Sequence, residues 1–269
     1  MKPVKIYAVF IRQFYLLRGN YIRFMSAFIW AILDVLLWGF ISKYLSSFGG
    51  ATFSFATVTF GAIILWDFTS RIQQGIMTAF LEDIWSQNFI NFFASPLKLP
   101  EYIAGMILSS IMTGVIGLGL MAGIAGLLFG YNIFKIGLLI ALFLFILFVF
   151  GVAIGIMISA LIFRYGPAAE WVSWPIPFVL SMLSGVFYPV STLPSLLVIF
   201  AKIIPSSYVF EGIKSTLATG SLSEANAINI FIGGILSVAY LFFAYWIFIR
   251  VYQRNLKTGA LARFSAENY

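Results

Sequence analysis

Four uninterrupted apolar runs constrain the fold of this chain more than any other feature of its sequence. Residues 102–134, 136–163, 171–201 and 225–249 contain no charged side chain. Each run is longer than the about 20 residues that a helix needs to cross the hydrocarbon layer of a bilayer. Across the chain only 9% of residues are charged, whereas a soluble domain carries about 25%. The sequence therefore predicts an integral membrane protein and excludes a soluble fold.

Two further apolar segments, interrupted by charged residues, predict additional crossings. Together with the four runs they predict an all-α, polytopic membrane bundle in one domain of 269 residues. Its six transmembrane helices are expected at 24–45, 53–80, 101–130, 133–163, 171–190 and 225–249. The fifth of these contains Pro175 and Pro177, which predict a kink and a candidate hinge because proline removes a helical hydrogen bond.

Residues 1–23 have the pattern of an amphipathic helix that lies in the membrane interface. Basic side chains gather on one side of the helix, whereas Ile6, Phe10 and Phe14 share the other. An alternative is that this segment extends the first transmembrane helix at its N-terminal end.

The basic residues are distributed unevenly between the two sides of the predicted bundle. With the N-terminus inside, eleven Lys and Arg residues fall in inside segments and four in outside segments, while Arg71 lies within a span. Basic residues concentrate on the cytoplasmic side of membrane proteins. Both termini, including the tail 250–269, are therefore expected to be cytoplasmic, and the protein is expected in the plasma (inner) membrane of a prokaryote.

Two segments between the spans carry patterns of their own. Residues 81–100 begin with acidic residues and are rich in aromatic ones, which predicts a short cytoplasmic helix near 82–93 that stops before Pro96. Residues 191–223 contain two apolar stretches that are too short to cross a bilayer. They predict two short re-entrant helices that enter the outer leaflet and return around a turn at 205–207.

Three charged residues lie within predicted spans, where charge is costly. Asp67 and Arg71 are four residues apart and so share one helix face. They could form a structural ion pair or a polar patch on a transport path. Asp34 could pair with Arg71, form a hydrogen bond across a dimer, or lie nearer the interface.

Small residues recur at close spacing in the third and fourth predicted spans. Glycines at this spacing let helices approach closely, so these two spans are expected to pack together, with a dimer interface as the alternative. The residues concerned are Gly119, Gly123, Gly126, Gly130, Gly151 and Gly155.

Three stretches resemble the permease subunits of type-2 ATP-binding-cassette (ABC) exporters. They are residues 91–97 followed by Glu101 and Gly105, residues 184–194, and residues 204–208 followed by Glu211 and Lys214. The resemblance implies a homodimer of this chain with two copies of a separate ABC ATPase, into which segment 81–100 docks as a coupling helix. It also marks a re-entrant turn that carries Pro205, Tyr208, Glu211 and Lys214.

The coupling segment has the composition of an interface. Charged residues can register a partner surface, and buried aromatic residues supply most of an interface's energy. The expected ATPase-coupling residues are Glu82, Asp83, Trp85, Phe89, Phe92 and Phe93. The alternative is a helix that lies flat on the membrane with its aromatic side chains in lipid.

The sequence lacks the elements needed to bind nucleotide or to do chemistry itself. It contains no phosphate-binding loop of the form Gly-x-x-x-x-Gly-Lys-Ser/Thr, and it has no His or Cys. No cofactor, metal site, catalytic residue or nucleic-acid partner is therefore expected in this chain, and ATP and magnesium are expected on the partner ATPase.

The expected function is that of the permease subunit of an ATP-driven exporter. Its substrate would be amphipathic: a lipid, a lipid-linked glycan or a hydrophobic drug. An ion-coupled secondary transporter that uses Asp34 and Asp67 is the alternative, although the sequence shows no internal repeat or matched pair of broken helices.

Overall fold

The computed structural model describes residues 1–19, 21–47, 51–86, 88–133, 137–219 and 224–258. These described residues form helices and contain no strand, which confirms the all-α prediction. In chain order the helices are α1 Pro3–Gly19, α2 Tyr21–Ser46, α3 Ala51–Trp85, α4 Phe89–Ala94, α5 Leu99–Phe129, α6 Leu139–Tyr165, α7 Glu170–Ser173, α8 Pro175–Leu183, α9 Ser195–Ile203, α10 Pro205–Thr219 and α11 Glu224–Thr258.

Within the described residues, four helices are long and apolar enough to cross a membrane. They are α2, α5, α6 and α11, and α9 with α10 would add a fifth crossing if this pair, bent by 99°, were one span. These four helices match the predicted spans 24–45, 101–130, 133–163 and 225–249. A multi-pass helical membrane protein is therefore confirmed, whereas the count of six crossings stays a prediction.

α3 is also long enough for a crossing. It is 35 residues long, which corresponds to about 50 Å at 1.5 Å per residue. Residues 51–66 contain no charged side chain, whereas polar residues interrupt the helix repeatedly between Asp67 and Glu82.

The fifth predicted span, 171–190, is helical over a shorter stretch than expected. Trp174 keeps helical φ and ψ values of −68° and −42° between α7 and α8, and Pro175 and Pro177 cannot donate to the carbonyls one turn earlier. The prolines therefore interrupt the hydrogen-bond ladder at the start of α8 rather than in the middle of a long helix. The helix ends at Leu183, and Gly185 then takes a left-handed φ of +75°, which favours glycine.

Three other boundaries differ from the predicted ones. α2 begins at Tyr21, so 21–23 belong to the first long helix rather than to the interface helix. The predicted single helix at 82–93 is wrong, because α3 continues through Trp85 and α4 is separate. The predicted turn at 205–207 is also wrong, since those residues form the first turn of α10 and only Ile204 separates it from α9.

The last helix is longer than the predicted span 225–249. α11 continues to Thr258, and the rest of the predicted tail, 259–269, lies outside the described residues. Near its end the buried Asn255 amide donates to the Phe163 carbonyl oxygen at 2.5 Å. This bond ties the ends of α6 and α11 together.

Close helix packing in the core depends on glycines that face α3. A Cβ atom on Gly151 would lie 2.9 Å from the Thr69 carbonyl oxygen, and one on Gly155 would lie 3.0 Å from the Ile76 Cβ. These glycines of α6 therefore pack against α3, so the predicted packing of the third and fourth spans through them is wrong. In the described part of the chain, no atom would lie within 4 Å of a Cβ on Gly119 or Gly123.

We expect Gly151→Ala to lower the thermal unfolding midpoint of the purified protein, because the added methyl group meets backbone of α3. Overpacking of this kind costs about 1–3 kcal/mol. Gly123→Ala is the matched control and should leave the midpoint unchanged or raise it slightly, since alanine favours helix more than glycine does. Equal midpoints for the two variants would show that α3 and α6 do not approach closely at Gly151.

Candidate functional site

Some of the predicted coupling residues have buried side chains, and others have exposed or partly exposed ones. Asp83 has no exposed side-chain surface and Phe89 is buried, whereas the Trp85 side chain is 58% exposed. Glu82 and Phe92 are partly exposed. Phe93 lies on α4, and its side chain is outside what the structure describes. Contrary to the prediction, Asp83 and Phe89 are therefore not available to contact a partner subunit. Trp85 is a large, exposed side chain at this end of α3.

The Asp83 carboxylate joins three helices. Its Oδ2 atom accepts a hydrogen bond of 2.6 Å from the Tyr102 hydroxyl on α5, and its Oδ1 atom pairs with the Arg12 guanidinium on α1. The same guanidinium lies 5.0 Å from the centre of the Phe92 ring on α4. One carboxylate at the end of α3 therefore holds α1, α4 and α5 in a fixed arrangement.

Burial changes the acidity of this carboxylate. Asp83 lies just beyond the predicted span 53–80, and its burial raises the pKa of the carboxyl above the ordinary value. The Arg12 guanidinium and the Tyr102 hydroxyl act in the opposite direction, because both favour the charged form. Arg12 and Tyr102 therefore offset part of the free-energy cost of burying the charged Asp83 carboxylate.

A second ionic contact fixes the N-terminal end of α1. The Glu101 carboxylate accepts hydrogen bonds from the backbone N–H groups of Lys2 at 2.7 Å and Lys98 at 3.0 Å. The Lys5 ammonium group lies 3.7 Å from the same carboxylate and also donates to the Pro96 carbonyl. The polar side of α1 is therefore docked on the protein at two points.

α4 is anchored in the core by its aromatic residues. The Phe89 ring stacks on Phe163 of α6 with centroids 5.5 Å apart and lies 5.1 Å from Phe80 of α3. Aromatic pairs at such distances add about 0.5–1.5 kcal/mol each beyond the area that they bury. Phe89 acts as an anchor inside the protein rather than as a contact for another subunit.

The intramembrane charges come together as a pair with a third charge nearby. Arg71 Nε donates to Asp67 Oδ2 at 2.5 Å, and Arg71 Nη2 lies 3.4 Å from Asp67 Oδ1. The arginine stem occupies the space that Gly117 of α5 leaves by having no side chain. Asp34, which is partly exposed on α2, lies within electrostatic range of both charges. The predicted ion pair is present, and its role stays a prediction.

Two of the predicted re-entrant residues, Glu211 and Lys214, bind the loop that follows α8. The Lys214 ammonium group donates to the carbonyl oxygens of Gly185 at 2.6 Å and Tyr188 at 2.9 Å. The Glu211 carboxylate accepts the Val190 N–H at 3.0 Å and lies 3.6 Å from the Lys214 ammonium nitrogen. The loop is therefore held against α10 by one acidic and one basic side chain.

Other members of the same group fix the bend between α9 and α10. The Tyr208 hydroxyl donates to the Lys202 carbonyl oxygen at 2.8 Å, and Pro205 is the first residue of α10, where proline is tolerated. The buried hydroxyls of Ser184 and Ser206 are 2.6 Å apart. α8, its loop and the bent helix pair are thus connected as one unit.

Sequence reasoning missed Arg12, Tyr102 and Glu101 as parts of the site. Arg12 and Asp83 are 71 residues apart, and neither is marked by a local pattern. The sequence does show acidic residues at 81–101 and basic residues in the N-terminal helix. These opposite charges suggest ion pairs between the two segments, but they do not identify which residues pair.

We expect Arg12→Gln to destabilise the protein by about 3 kcal/mol, because it leaves the fully buried Asp83 carboxylate without its cation. Asp83→Asn should cost less, because Arg12 is partly exposed and can reach water. The double variant should lose less stability than the sum of the two single losses. Thermal unfolding of the purified protein measures these differences, with Arg18→Gln on the exposed side of α1 as control. Strictly additive losses would show that the two groups do not interact.

For the intramembrane pair, we expect Asp67→Asn and Arg71→Gln each to lower stability more than the double neutral variant does. A lone charge left in the membrane interior carries its full desolvation cost, whereas two neutral side chains do not. The same unfolding measurement compares the three variants. A double variant that is as unstable as the sum of the single variants would contradict the pairing.

A comparison with protein families accounts for most of this chain. The family model described as ABC-2 type transporter matches residues 5–218, which include α1, the end of α3, α4 and the loop held by Lys214. A comparison with curated proteins finds no match. Because the family model covers well over half of the chain, the protein belongs to the ABC-2 type transporter family as its membrane-spanning permease component.

Proposed function

We propose that this permease subunit moves an amphipathic substrate out of the cytoplasm as a homodimer that binds two copies of an ABC ATPase. Family membership implies an ABC ATPase partner, and this partner would hold the ATP and magnesium. The substrate would be a lipid, a lipid-linked glycan or a hydrophobic drug. The protein would lie in the inner membrane of a prokaryote with both termini in the cytoplasm.

The proposed topology has six crossings. α2, α5, α6 and α11 supply four of them, and α3 and the α7–α8 segment would supply the second and fifth. α9 and α10 would then lie in the outer leaflet as a bent pair. The eleven-to-four distribution of basic residues supports this orientation.

The observation that carries the proposed coupling is the fixed junction between α3 and α4. Trp85 is exposed at the end of α3, and two residues earlier in the same helix Asp83 binds Arg12 and Tyr102. A force applied by a partner at Trp85 would reach α1 and α5 through this carboxylate and α6 through Phe89. Such a rigid junction can transmit a displacement because packed elements move as units.

The moving part of the permease would be the α7–α8 segment. Its hydrogen-bond ladder is interrupted at Pro175 and Pro177, and the loop that follows α8 is clamped to α10 by Lys214. A bend at the prolines would therefore change the position of α8 together with the outer helix pair. In the proposed dimer this segment, α2 and α3 would face the second copy.

The ion-coupled alternative is less well supported. Asp67, one of its two candidate titrating groups, is engaged by Arg71 in an ion pair, and the family is one of ATP-binding-cassette transporters. We therefore assign no proton or sodium coupling to Asp34 or Asp67.

The coupling proposal predicts a specific effect of Trp85→Ala. The variant should fold and assemble normally but bind its ATPase about thirty-fold more weakly, which corresponds to the about 2 kcal/mol of an interface hot spot. The measurement is co-purification and binding of the ATPase in lipid, followed by its substrate-stimulated hydrolysis.

Trp171→Ala is the matched control, because Trp171 is also an exposed tryptophan, at 81% exposure, but lies on α7. It should leave ATPase binding unchanged. Normal ATPase binding and transport by Trp85→Ala would show that this end of α3 is not the coupling surface.

A further inference from the structure

The part of α3 that the other helices leave open is polar. Among residues 59–84, all of which the structure describes, the side chains that are not buried are those of Asp67, Ser70, Gln74, Thr78 and Glu82, together with Gly75. The five side chains are spaced by three or four residues, so they share one side of the helix. We call these five residues the polar face of α3.

The flanks of the polar face are defined by contacts with two neighbouring helices. On one flank, Arg71 packs on Gly117 and Gly75 lies against Ser110, both on α5. On the other flank, the backbone of Thr69 and Gln73 lies against the glycines of α6. The polar face lies between these two flanks, and α2, which also packs against α3, brings Asp34 near the Asp67 end of the face.

This distribution is the reverse of that expected for a helix that faces lipid. Between residues 59 and 84 the apolar side chains of α3 are buried, and the partly exposed side chains carry hydroxyl, amide and carboxyl groups. Side chains of this kind within a membrane face the interior of a bundle or a water-filled space, because hydrocarbon offers no hydrogen bonds.

α5 provides an internal comparison at the same level of the bundle. Gly114 of α5 lies beside Ile72 of α3, which places Val115 at the level of the polar face. Val115 and its neighbour Ile116 are exposed apolar residues, as expected for contact with lipid. At the same level of the bundle, the exposed side chains of α5 are therefore apolar, whereas the partly exposed side chains of α3 are polar.

From this contrast, and resting on the proposed transport function, we infer that the polar face of α3 is the wall of a hydrated path for an uncharged, hydrogen-bonding head group. From Asp67 to Thr78, its last residue within the predicted span 53–80, the face extends about 16 Å, about half of the about 30 Å of bilayer hydrocarbon. The apolar tail of the substrate would remain in contact with apolar surface while the head group follows this wall.

The chemistry of the face selects the class of head group. Its middle residues, Ser70, Gln74 and Thr78, are neutral and can both donate and accept hydrogen bonds. Asp67 at one end is balanced by Arg71. A charged head group would give up hydration without meeting an opposite charge in this middle stretch. A head group rich in hydroxyls or amides would instead exchange its bonds to water for bonds to these side chains.

The path can be tested by thiol labelling, because the chain has no cysteine. Ser70→Cys, Gln74→Cys and Thr78→Cys are each placed in the full chain in native membranes and treated with a charged, water-soluble methanethiosulfonate. Val115→Cys, at a position that is 55% exposed on α5, is the matched control. Because such reagents attack the thiolate and so require water, we expect the three cysteines to react at least about ten times faster than the control.

Labelling no faster than that of Val115→Cys would overturn the inference, because the face would then be in lipid or sealed by another surface. The measurement needs neither ATP nor the ATPase. Fast labelling of a chain that binds no ATPase would therefore contradict the proposed function while leaving the hydrated path intact.

The head-group class has its own test, with three amphiphiles of equal chain length at concentrations below those that dissolve the membrane. We expect octyl glucoside to slow the labelling of Gln74→Cys at least about threefold more than octyl sulfate or octyltrimethylammonium does, since it alone matches the neutral donors and acceptors of the face. Equal protection by all three, or stronger protection by a charged one, would overturn the assignment of an uncharged head group.

Discussion

A bilayer offers no hydrogen bonds to the side chains and backbone within it, and the arrangement of polar groups in this chain follows from that constraint. Hydroxyls in the long helices bond to their own backbone, as Ser109 does to the Met106 carbonyl and Ser159 to the Gly155 carbonyl. Arg71 finds its carboxylate one turn away on the same helix. Several other polar side chains of α3, among them Ser70, Gln74 and Thr78, lie on one side of that helix.

The two ends of the bundle are stiffened by related means. At one end a buried carboxylate, Asp83, gathers α1, α4 and α5 around the end of α3. At the other end Glu211 and Lys214 bind backbone groups of the loop after α8. Between them, the α7–α8 segment has weakened helical hydrogen bonding at its prolines. In the proposed mechanism, bending of this segment between the two fixed ends would let the transporter alternate between states.

Sequence reasoning was most successful where the determining interaction is local. Three of the four uninterrupted apolar runs predicted long helices, and an interrupted apolar segment predicted α2, whereas the run 171–201 forms short helices instead. The spacing of Asp67 and Arg71 predicted their contact, because residues four apart on a helix are always neighbours. Proline at 205 was placed near a helix boundary, although it begins α10 rather than forming a turn. The contacts of Arg12 with Asp83 were not predictable, since they join residues that only the tertiary fold brings together. Likewise, the glycines of α6 indicated close packing but not that α3 would be the partner.

The burial of Asp83 also limits how sequences of this family can diverge. A carboxylate that is satisfied by one guanidinium and one phenol can be replaced without loss only if its partners change as well, so we expect Arg12, Asp83 and Tyr102 to vary together. A lineage that substitutes Arg12 first passes through an unstable intermediate, whereas one that neutralises Asp83 first meets a smaller barrier. The order of substitution at these positions should therefore depend on the different exposure of the two charges, and the N-terminal helix should tolerate fewer changes at Arg12 than its peripheral position suggests.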